Sequence, residues 1–390
     1  MQYVGGNRLT LLRNGVEYFP ALMQAIDAAR NELFLETYIF ADDETGSLVA
    51  DALARAAARG VAVRLLLDGF GARDFAPRFR VALRSAGAEV LVFRPERSPW
   101  RLRRGRLRRM HRKLACIDGR VGFVGGINVI DDFDGPGQTP PRYDYAVRIE
   151  GPLTGQLRAV AARQWAQVSW ATSRRRWPGL RRRAAPAGPA DPAPIAGGQR
   201  AALVVRDSLR HRRDIEDGYL TSIAGAREEV FIACAYFFPG RRFRRALAEA
   251  AARGVKVVLL LQGRVEYALL HYASRALYGT LLEAGIQIHE YHLSFLHAKV
   301  AVFDRRVASV GSSNIDPFSL MLAREANVFV DDAGFAQELR ASLAEAQVNG
   351  ARALPPQRWK GQRLWLRARI WVAYGVARLL ISLAGYEGYH

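Results

Sequence analysis

Cysteine is scarce: Cys116 and Cys234 are the only two in 390 residues. Both fall in apolar stretches that read as buried strands, so they serve as small core residues and no disulfide framework is implied. A long apolar run is missing from the N-terminal stretch MQYVGGNRLTLLRNGVEY, which shows neither a secretory signal nor a membrane anchor. No Cys/His cluster has metal-ligand spacing, so neither a metal nor another cofactor is expected. Acidic residues are short: 37 Asp and Glu face 57 Lys and Arg, leaving a net charge of +20. That balance attracts a polyanion, and both nucleic acid and an anionic membrane qualify.

What is present is a stretch that occurs twice. MHRKLACIDGRVGFVGGIN runs from Met110 to Asn128, and LHAKVAVFDRRVASVGSSN from Leu296 to Asn314. His111, Lys113, Asp118, Gly125 and Asn128 align with His297, Lys299, Asp304, Gly311 and Asn314, each pair offset by 297 − 111 = 186 residues. A repeat of H-x-K-x4-D-x6-G-(G/S)-x-N is a duplicated functional unit, not an accident of composition. In an extended strand the His and Lys of each copy share a face. The apolar residues that follow read as a buried strand presenting them at its start. The Gly125-Gly126-Ile127-Asn128 and Gly311-Ser312-Ser313-Asn314 runs let backbone approach a ligand and supply amide donors.

Two His and two Lys converging on one point suit a phosphodiester. The lysines neutralise the nonbridging oxygens as charge builds on phosphorus. One His attacks phosphorus and the other protonates the leaving oxygen; the residues alone do not say which does which.

The rest of the chain repeats too. Apolar and helical patterns alternate: a strand over 9–19, a helix from Pro20 to Arg30, a strand from Glu32 to Phe40, a helix from Ser47 to Arg59 closed by Gly60, a strand from Val61 to Leu67, a helix from Ala76 to Ala86 and a strand from Val90 to Phe93. Val230–Phe238 answers Glu32–Phe40, and Ala252–Gly263 answers Ala58–Gly69. The copies diverge at Asp68 against Gln262 and at Glu36 against Cys234. This predicts an α/β protein of two fused, duplicated lobes, each a mixed sheet flanked by helices, with the site at their interface. The first lobe spans 1–183, a Pro/Ala/Gly-rich linker 184–198, and the second lobe 199–350, with a strand at Glu325–Val330 and a helix from about Gly334 to Val348. Residues 351–390 form a C-terminal amphipathic segment in which Trp, Leu and Ile alternate with Arg363, Arg367, Arg369 and Arg378. Arg378 interrupts it as a spanning helix, so it reads as a helix lying in a membrane interface.

The two motifs resemble those of the phospholipase D superfamily. Within it the chain is most similar to the bacterial cardiolipin synthases of the short form without N-terminal transmembrane helices. The resemblance runs through Glu36-Thr37-Tyr38-Ile39-Phe40, the first motif with Gly125–Asn128, Tyr143-Asp144 before Gly151-Pro152, and the second motif with Gly311–Asp316. It implies a two-step phosphatidyl transfer through a phosphohistidine, with His111 as nucleophile and His297 as acid and base. Lys113 and Lys299 hold the nonbridging oxygens, and Asn128 and Asn314, with Gly126 and Ser312 beside them, support the phosphate. In that family a carboxylate downstream of each motif orients its His; Asp144 and Glu325 occupy those places, pairing Asp144 with His111 and Glu325 with His297. Asp118 and Asp304 complete the motifs and are expected to hold strand and turn instead of touching substrate. His211, His271, His289, His292 and His390 read as ordinary histidines, although His289 and His292 lie close before the second motif.

The implied reaction joins two phosphatidylglycerols, or phosphatidylglycerol and another phospholipid donor, at the membrane surface. A phospholipase D-type hydrolase uses the same residues and differs in admitting water. A nuclease of the same superfamily would use the basic charge, but the Trp/Leu-rich C-terminus and the lack of a nucleic-acid module speak against a nucleic-acid partner. The basic run Arg101–Arg109 after Trp100, with Arg241, Arg242, Arg244 and Arg245, suits docking on an anionic leaflet. The expected location is peripheral, on the cytoplasmic face of a bacterial inner membrane. The oligomeric state is not legible.

Overall fold

A computed structural model describes residues 1–95, 108–133, 141–176, 192–207, 211–360 and 364–383. Most of the basic run after Trp100, the end of the Arg-dense run at 177–183 and the first part of the linker, 184–191, lie outside the described residues. The first half runs β1 (Val4–Arg13), α1 (Asn14–Asp27), β2 (Glu32–Thr37), α2 (Glu44–Ala58), β3 (Ala62–Asp68), α3 (Pro77–Ser85), β4 (Glu89–Phe93), β5 (Lys113–Ile117), β6 (Val121–Gly125), β7 (Tyr145–Glu150) and α4 (Leu153–Arg176). The second runs β8 (Gln199–Arg206), α5 (Asp214–Gly225), β9 (Glu229–Cys234), α6 (Arg241–Ala252), β10 (Lys256–Gln262), α7 (Ala268–Arg275), α8 (Tyr278–Glu283), β11 (Gln287–Tyr291), β12 (Lys299–Phe303), β13 (Val307–Gly311), α9 (Pro317–Met321), β14 (Glu325–Asp331) and α10 (Ala333–Gly350). β15 (Ala351–Ala353), α11 (Pro356–Lys360) and α12 (Leu364–Leu383) follow.

The strand order is the same in both halves: β7-β6-β5-β2-β3-β4 matches β14-β13-β12-β9-β10-β11. In each, parallel pairs (β2 with β3, β9 with β10) meet antiparallel ones (β5 with β2, β12 with β9). The sheets are not separate. β1 lies on β7, β8 lies on β14, and β1 pairs with β8, so one 15-stranded sheet runs through the molecule. β3 and β10 are apolar along their length because helices and the shared core cover both faces.

Local signals set the helix ends. Asp43 caps α2 by accepting the Gly46 N–H at 2.7 Å, and Gly60 follows the helix at φ 90°. Asp332 caps α10 by accepting the Phe335 N–H at 2.8 Å. The first strand ends earlier than its pattern suggests: Asn14 takes φ 55°, which breaks the extended chain and starts α1 before Pro20. The 24-residue α4 is an element that the reading of the sequence did not single out.

The hydrophobic core has three parts. One, under α1 to α3, belongs to the first half, and another, under α5 to α8 and α12, to the second. The third joins them: Leu114, Val124 and Val147 share it with Val300, Val310 and Val328, together with Leu157 and Trp165 of α4 and Leu339 and Leu343 of α10. Burial of apolar area across this middle layer is what holds the two motifs face to face.

Candidate active site

Each motif is a strand with chemistry at its start and a turn at its end. β5 and β12 are buried throughout, so His111-x-Lys113 and His297-x-Lys299 emerge at the edge of the shared core. At the far end Asp118 and Asp304 adopt φ 51° and 49°. The Asp118 carboxylate accepts the N–H groups of Arg30, Asn31 and Glu32 at 2.8, 2.8 and 2.9 Å. Asp304 does the same for Arg227, Glu228 and Glu229 at 2.9, 2.8 and 3.0 Å. These aspartates tie the motif hairpin to the start of the neighbouring strand, seven residues along the chain from the His (roughly 23 Å if extended throughout).

The histidines meet their carboxylates across the molecule, and this corrects the pairing expected within each half. His111 Nδ1 lies 2.9 Å from Glu325 Oε1, and His297 Nδ1 lies 2.6 Å from Asp144 Oδ2. The reason is sheet geometry. β6 separates β5 from β7, so His111 and Asp144 start strands two spacings apart, about 9.5 Å; β13 separates His297 from Glu325 in the same way. Docking of the halves closes the gap with an exchange of backbone bonds. His111 N–H donates to Arg324 O at 2.9 Å and Arg324 N–H to Arg109 O at 2.7 Å; His297 N–H donates to Tyr143 O at 2.8 Å and Tyr143 N–H to Phe295 O at 2.9 Å.

The residues before the two carboxylates are anchored on the helix of the other half. The Arg324 guanidinium donates to Gln164 of α4, and the Tyr143 hydroxyl lies 3.1 Å from Ser342 Oγ of α10. The carboxylates themselves are fully buried. Ser312 Oγ donates to Glu325 Oε2 at 2.6 Å, and Tyr145 N–H to Asp144 Oδ1 at 2.8 Å. Gly126, which aligns with Ser312, has a different use: a Cβ there would sit 2.2 Å from Asp144 Oδ1. Asn128 Oδ1 accepts the Ile39 N–H at 3.1 Å, and Asn314 Oδ1 accepts the Tyr236 N–H at 3.4 Å. With each amide oxygen engaged on backbone, its NH2 is the end left for an anion.

His111, His297, Asn128 and Asn314 line one cavity of about 740 Å³. Its walls are largely aromatic and aliphatic, including Tyr38, Phe70, Tyr236, Tyr267, Leu270 and Phe318, with Arg109 and Arg142 among them. Lys113 Nζ sits 2.7 Å from His111 O and over the Tyr38 ring; Lys299 Nζ sits on His297 O and 3.5 Å from Asp144 Oδ2. Burial pushes Lys113 down to about 7, against the pull of Glu325, and lowers Lys299 as well, against Asp144. Burial also lowers His111, opposed by Glu325 and aided by Lys113, and takes His297 down to about 3 with help from Lys299. Burial alone would raise Asp144, but Lys299 and His297 overcome it and hold it ionised. Two lysines and two imidazoles, all with their charged forms disfavoured by burial, thus stand with two buried carboxylates beside the cavity.

Sequence reasoning passed over Tyr38, Arg109, Arg142, Tyr236, Glu266 and Asp316 as wall residues. Tyr38 and Asp316 lay inside stretches that carried the resemblance, Arg109 closed the basic run and Tyr236 lay in the repeated strand Val230–Phe238; Arg142 and Glu266 had no local signal. His289 bonds Gln347 at 3.0 Å and, like His292, is not on the cavity wall. Among the described residues no cluster of His, Cys, Asp and Glu is arranged to hold a metal ion.

Fold and site together define a two-motif member of the phospholipase D superfamily. A family model described as cardiolipin synthase, PLD-like domain, matches residues 22–132 and again 219–346. The chain is 37% identical to cardiolipin synthase B of Escherichia coli K12, over 99% of this chain and 91% of that one. It is 31% identical to the major cardiolipin synthase ClsA of Bacillus subtilis, over 96% and 75%. The chain belongs to the cardiolipin synthase, PLD-like domain family. Among solved structures, phosphatidylserine synthase of Haemophilus influenzae superposes with a TM-score of 0.71 at 12% identity, covering 96% of this chain and 94% of that one. Polyphosphate kinase of Porphyromonas gingivalis gives 0.57 at 13% identity, covering 96% and 53%; these two likenesses show the fold.

Proposed function

We propose that the protein transfers a phosphatidyl group from one phosphatidylglycerol to another, forming cardiolipin and releasing glycerol. The observation that carries this reading is the pair of crossed His–carboxylate units, backed by both motif lysines, with the two histidines lining one apolar-walled cavity. Glu325 holds the Nδ1–H of His111, which leaves Nε2 as a lone pair facing the cavity. That nitrogen attacks phosphorus, the P–O bond to glycerol breaks, and His297 gives the departing oxygen its proton. The lysines and the Asn128 and Asn314 amides take the charge of the nonbridging oxygens. A bound phosphodiester offsets the repulsion from Lys299, which raises the basicity of His297 and lets it carry that proton. His297 then removes the proton of the incoming hydroxyl as its oxygen bonds to phosphorus and the P–N bond to His111 breaks. One phosphodiester is exchanged for another, so the reaction needs no external energy source. Asp118 and Asp304 act on the hairpins alone. Phosphatidylethanolamine as phosphatidyl donor is a variant of the same chemistry.

The C-terminal segment supports work at a membrane surface. Ile370, Ala373 and Ala377 of α12 are buried against the second half, while Trp365, Trp371, Val372, Val376, Leu379 and Leu380 are exposed. Arg367, Arg369 and Arg378 are interspersed with them. α12 packs on α7, whose Leu270 lines the catalytic cavity. Among the described residues no helix is long and apolar enough to cross a membrane. We place the protein peripherally on a bacterial membrane, with residues 1–183 and 199–350 as the two catalytic halves and 351–390 as the docking segment.

The test is incubation of purified protein with phosphatidylglycerol vesicles and mass resolution of the products. Cardiolipin with free glycerol, lost in the His111→Ala/His297→Ala variant, supports transfer. Phosphatidic acid without cardiolipin makes the protein a hydrolase.

A further inference from the structure

A second, narrow cavity of about 20 Å³ lies in the second half, lined by Tyr236, Gln262, Glu266, His271, Ser274 and Tyr278 among others. It adjoins the catalytic cavity, since Tyr236, Glu266, Tyr267 and Leu270 line both. Its volume holds one water or one hydroxyl-sized group.

Gln262 is the residue that asks for a ligand there. It ends β10, is 6% exposed, and accepts the Arg264 N–H on Oε1 at 3.2 Å. Its Nε2 is buried and has no hydrogen-bond partner. A buried amide donor left unpaired is costly and rare. Asp68 holds the equivalent place at the end of β3, and its use is different. Its carboxylate accepts the N–H groups of Met110, Phe70 and Gly71 at 2.8, 2.8 and 3.1 Å, which fixes the approach to His111. The same strand end is thus saturated in the first half and open in the second. At the junction of the two cavities Glu266 is held by the Tyr236 hydroxyl and lies 3.5 Å from Arg142. Each of its oxygens retains room for a further hydroxyl donor.

We propose that this narrow cavity is an alcohol subsite, in which Gln262 Nε2 donates to, and Glu266 accepts from, the hydroxyls of a polyol. The polyol is the glycerol that departs in the first step and the glycerol headgroup that attacks in the second; only its terminal hydroxymethyl enters. This rests on the transferase reading and deepens it. In that reading His297, whose motif belongs to the same half as the subsite, trades the alcohol's proton, and His111 holds phosphorus.

The test uses the full chain with phosphatidyl-p-nitrophenol in mixed micelles, a donor whose leaving group is an aryl alcohol without further hydroxyls. Glycerol and ethanol compete as acceptors in one tube, and phosphatidylglycerol and phosphatidylethanol are resolved by mass. Gln262→Leu and Gln262→Met are expected to lower the glycerol-to-ethanol transfer ratio about tenfold, the effect of one lost hydrogen bond. The ratio is independent of the fraction of folded enzyme, and having two variants guards against one failing to fold. An unchanged ratio in both overturns the subsite while leaving transfer intact. Wild-type protein that releases nitrophenol but transfers to neither alcohol defeats the transferase reading, and the subsite with it.

Discussion

The crossed pairing makes a prediction that separates it from pairing within each half. Glu325→Gln keeps shape and volume at a fully buried position. The new amide oxygen still accepts from Ser312 Oγ, as Glu325 Oε2 does at 2.6 Å. Its NH2 then faces His111 Nδ1, now 2.9 Å from Oε1, and a donor there forces Nδ1 to accept. The proton moves to Nε2, the nitrogen that must attack. A wrong-tautomer defect of this kind costs on the order of 10⁴ in rate elsewhere, about 5.5 kcal/mol of barrier. Asp144→Asn imposes the same error on His297. With phosphatidyl-p-nitrophenol the leaving group needs no proton, so the two variants part company. Glu325→Gln should remove the rapid burst of nitrophenol, and Asp144→Asn should keep the burst and slow only the steady state. Rapid-quench kinetics with trapping of the phosphohistidine reads both. The reverse result, a burst lost in Asp144→Asn and kept in Glu325→Gln, would refute either the crossing or the assignment of His111 as nucleophile. Mapping the trapped phosphate to His111 or His297 decides between those two.

Other expectations follow from the same geometry. Lys113, pushed down to about 7 in the free site, must be charged to hold an anion. Below pH 7 it already is, and above pH 7 binding takes up a proton, so KM should rise by up to tenfold per pH unit from about pH 7 to 8.5; a flat profile removes Lys113 from phosphate binding. Gly126→Ala puts a Cβ 2.2 Å from Asp144 Oδ1, so the carboxylate must move and the second step should slow at least 10²-fold, with little loss of the burst. Asp118→Ala and Asp304→Ala each strip three backbone N–H groups of their acceptor; unfolding should become easier by about 1–3 kcal/mol while kcat changes less than threefold, read by thermal melts beside the vesicle assay. Trp365→Ala with Trp371→Ala on the exposed face of α12 should weaken sedimentation with phosphatidylglycerol vesicles by at least tenfold without changing turnover on a soluble short-chain donor.

The duplicated motifs were legible because their chemistry is local. His, Lys, Asp and Asn recur at a fixed spacing, and the strand that follows carries its own apolar signature. The division of each motif into a reactive end and a structural turn was legible as well: Asp118 and Asp304 sit where a strand must reverse, and both take the left-handed conformation that Asp tolerates. The pairing of His with carboxylate was not. It depends on contacts 214 and 153 residues apart in sequence, and these exist only because the middle core presses the halves together. A spacing rule carried over within each half fails because one strand lies between the partners. The joining of the sheets through β1 and β8 was hidden for a related reason: it rests on two paired positions, Val4 with Ala201 and Asn7 with Gln199, which leave no periodic trace. The difference between Asp68 and Gln262, by contrast, was visible in the alignment of the halves, but its meaning was not. Only the surroundings show that the carboxylate is consumed by three backbone donors while the amide is left with one unused. Duplication explains why this matters. Two copies of one motif give two equivalent histidines, and a reaction with a nucleophile and an acid needs them to differ. The divergent positions behind the motifs, Asp68 against Gln262, Glu36 against Cys234 and Gly126 against Ser312, give the two histidines different surroundings. A swap of such a pair between the halves should blur those roles before it disturbs the fold.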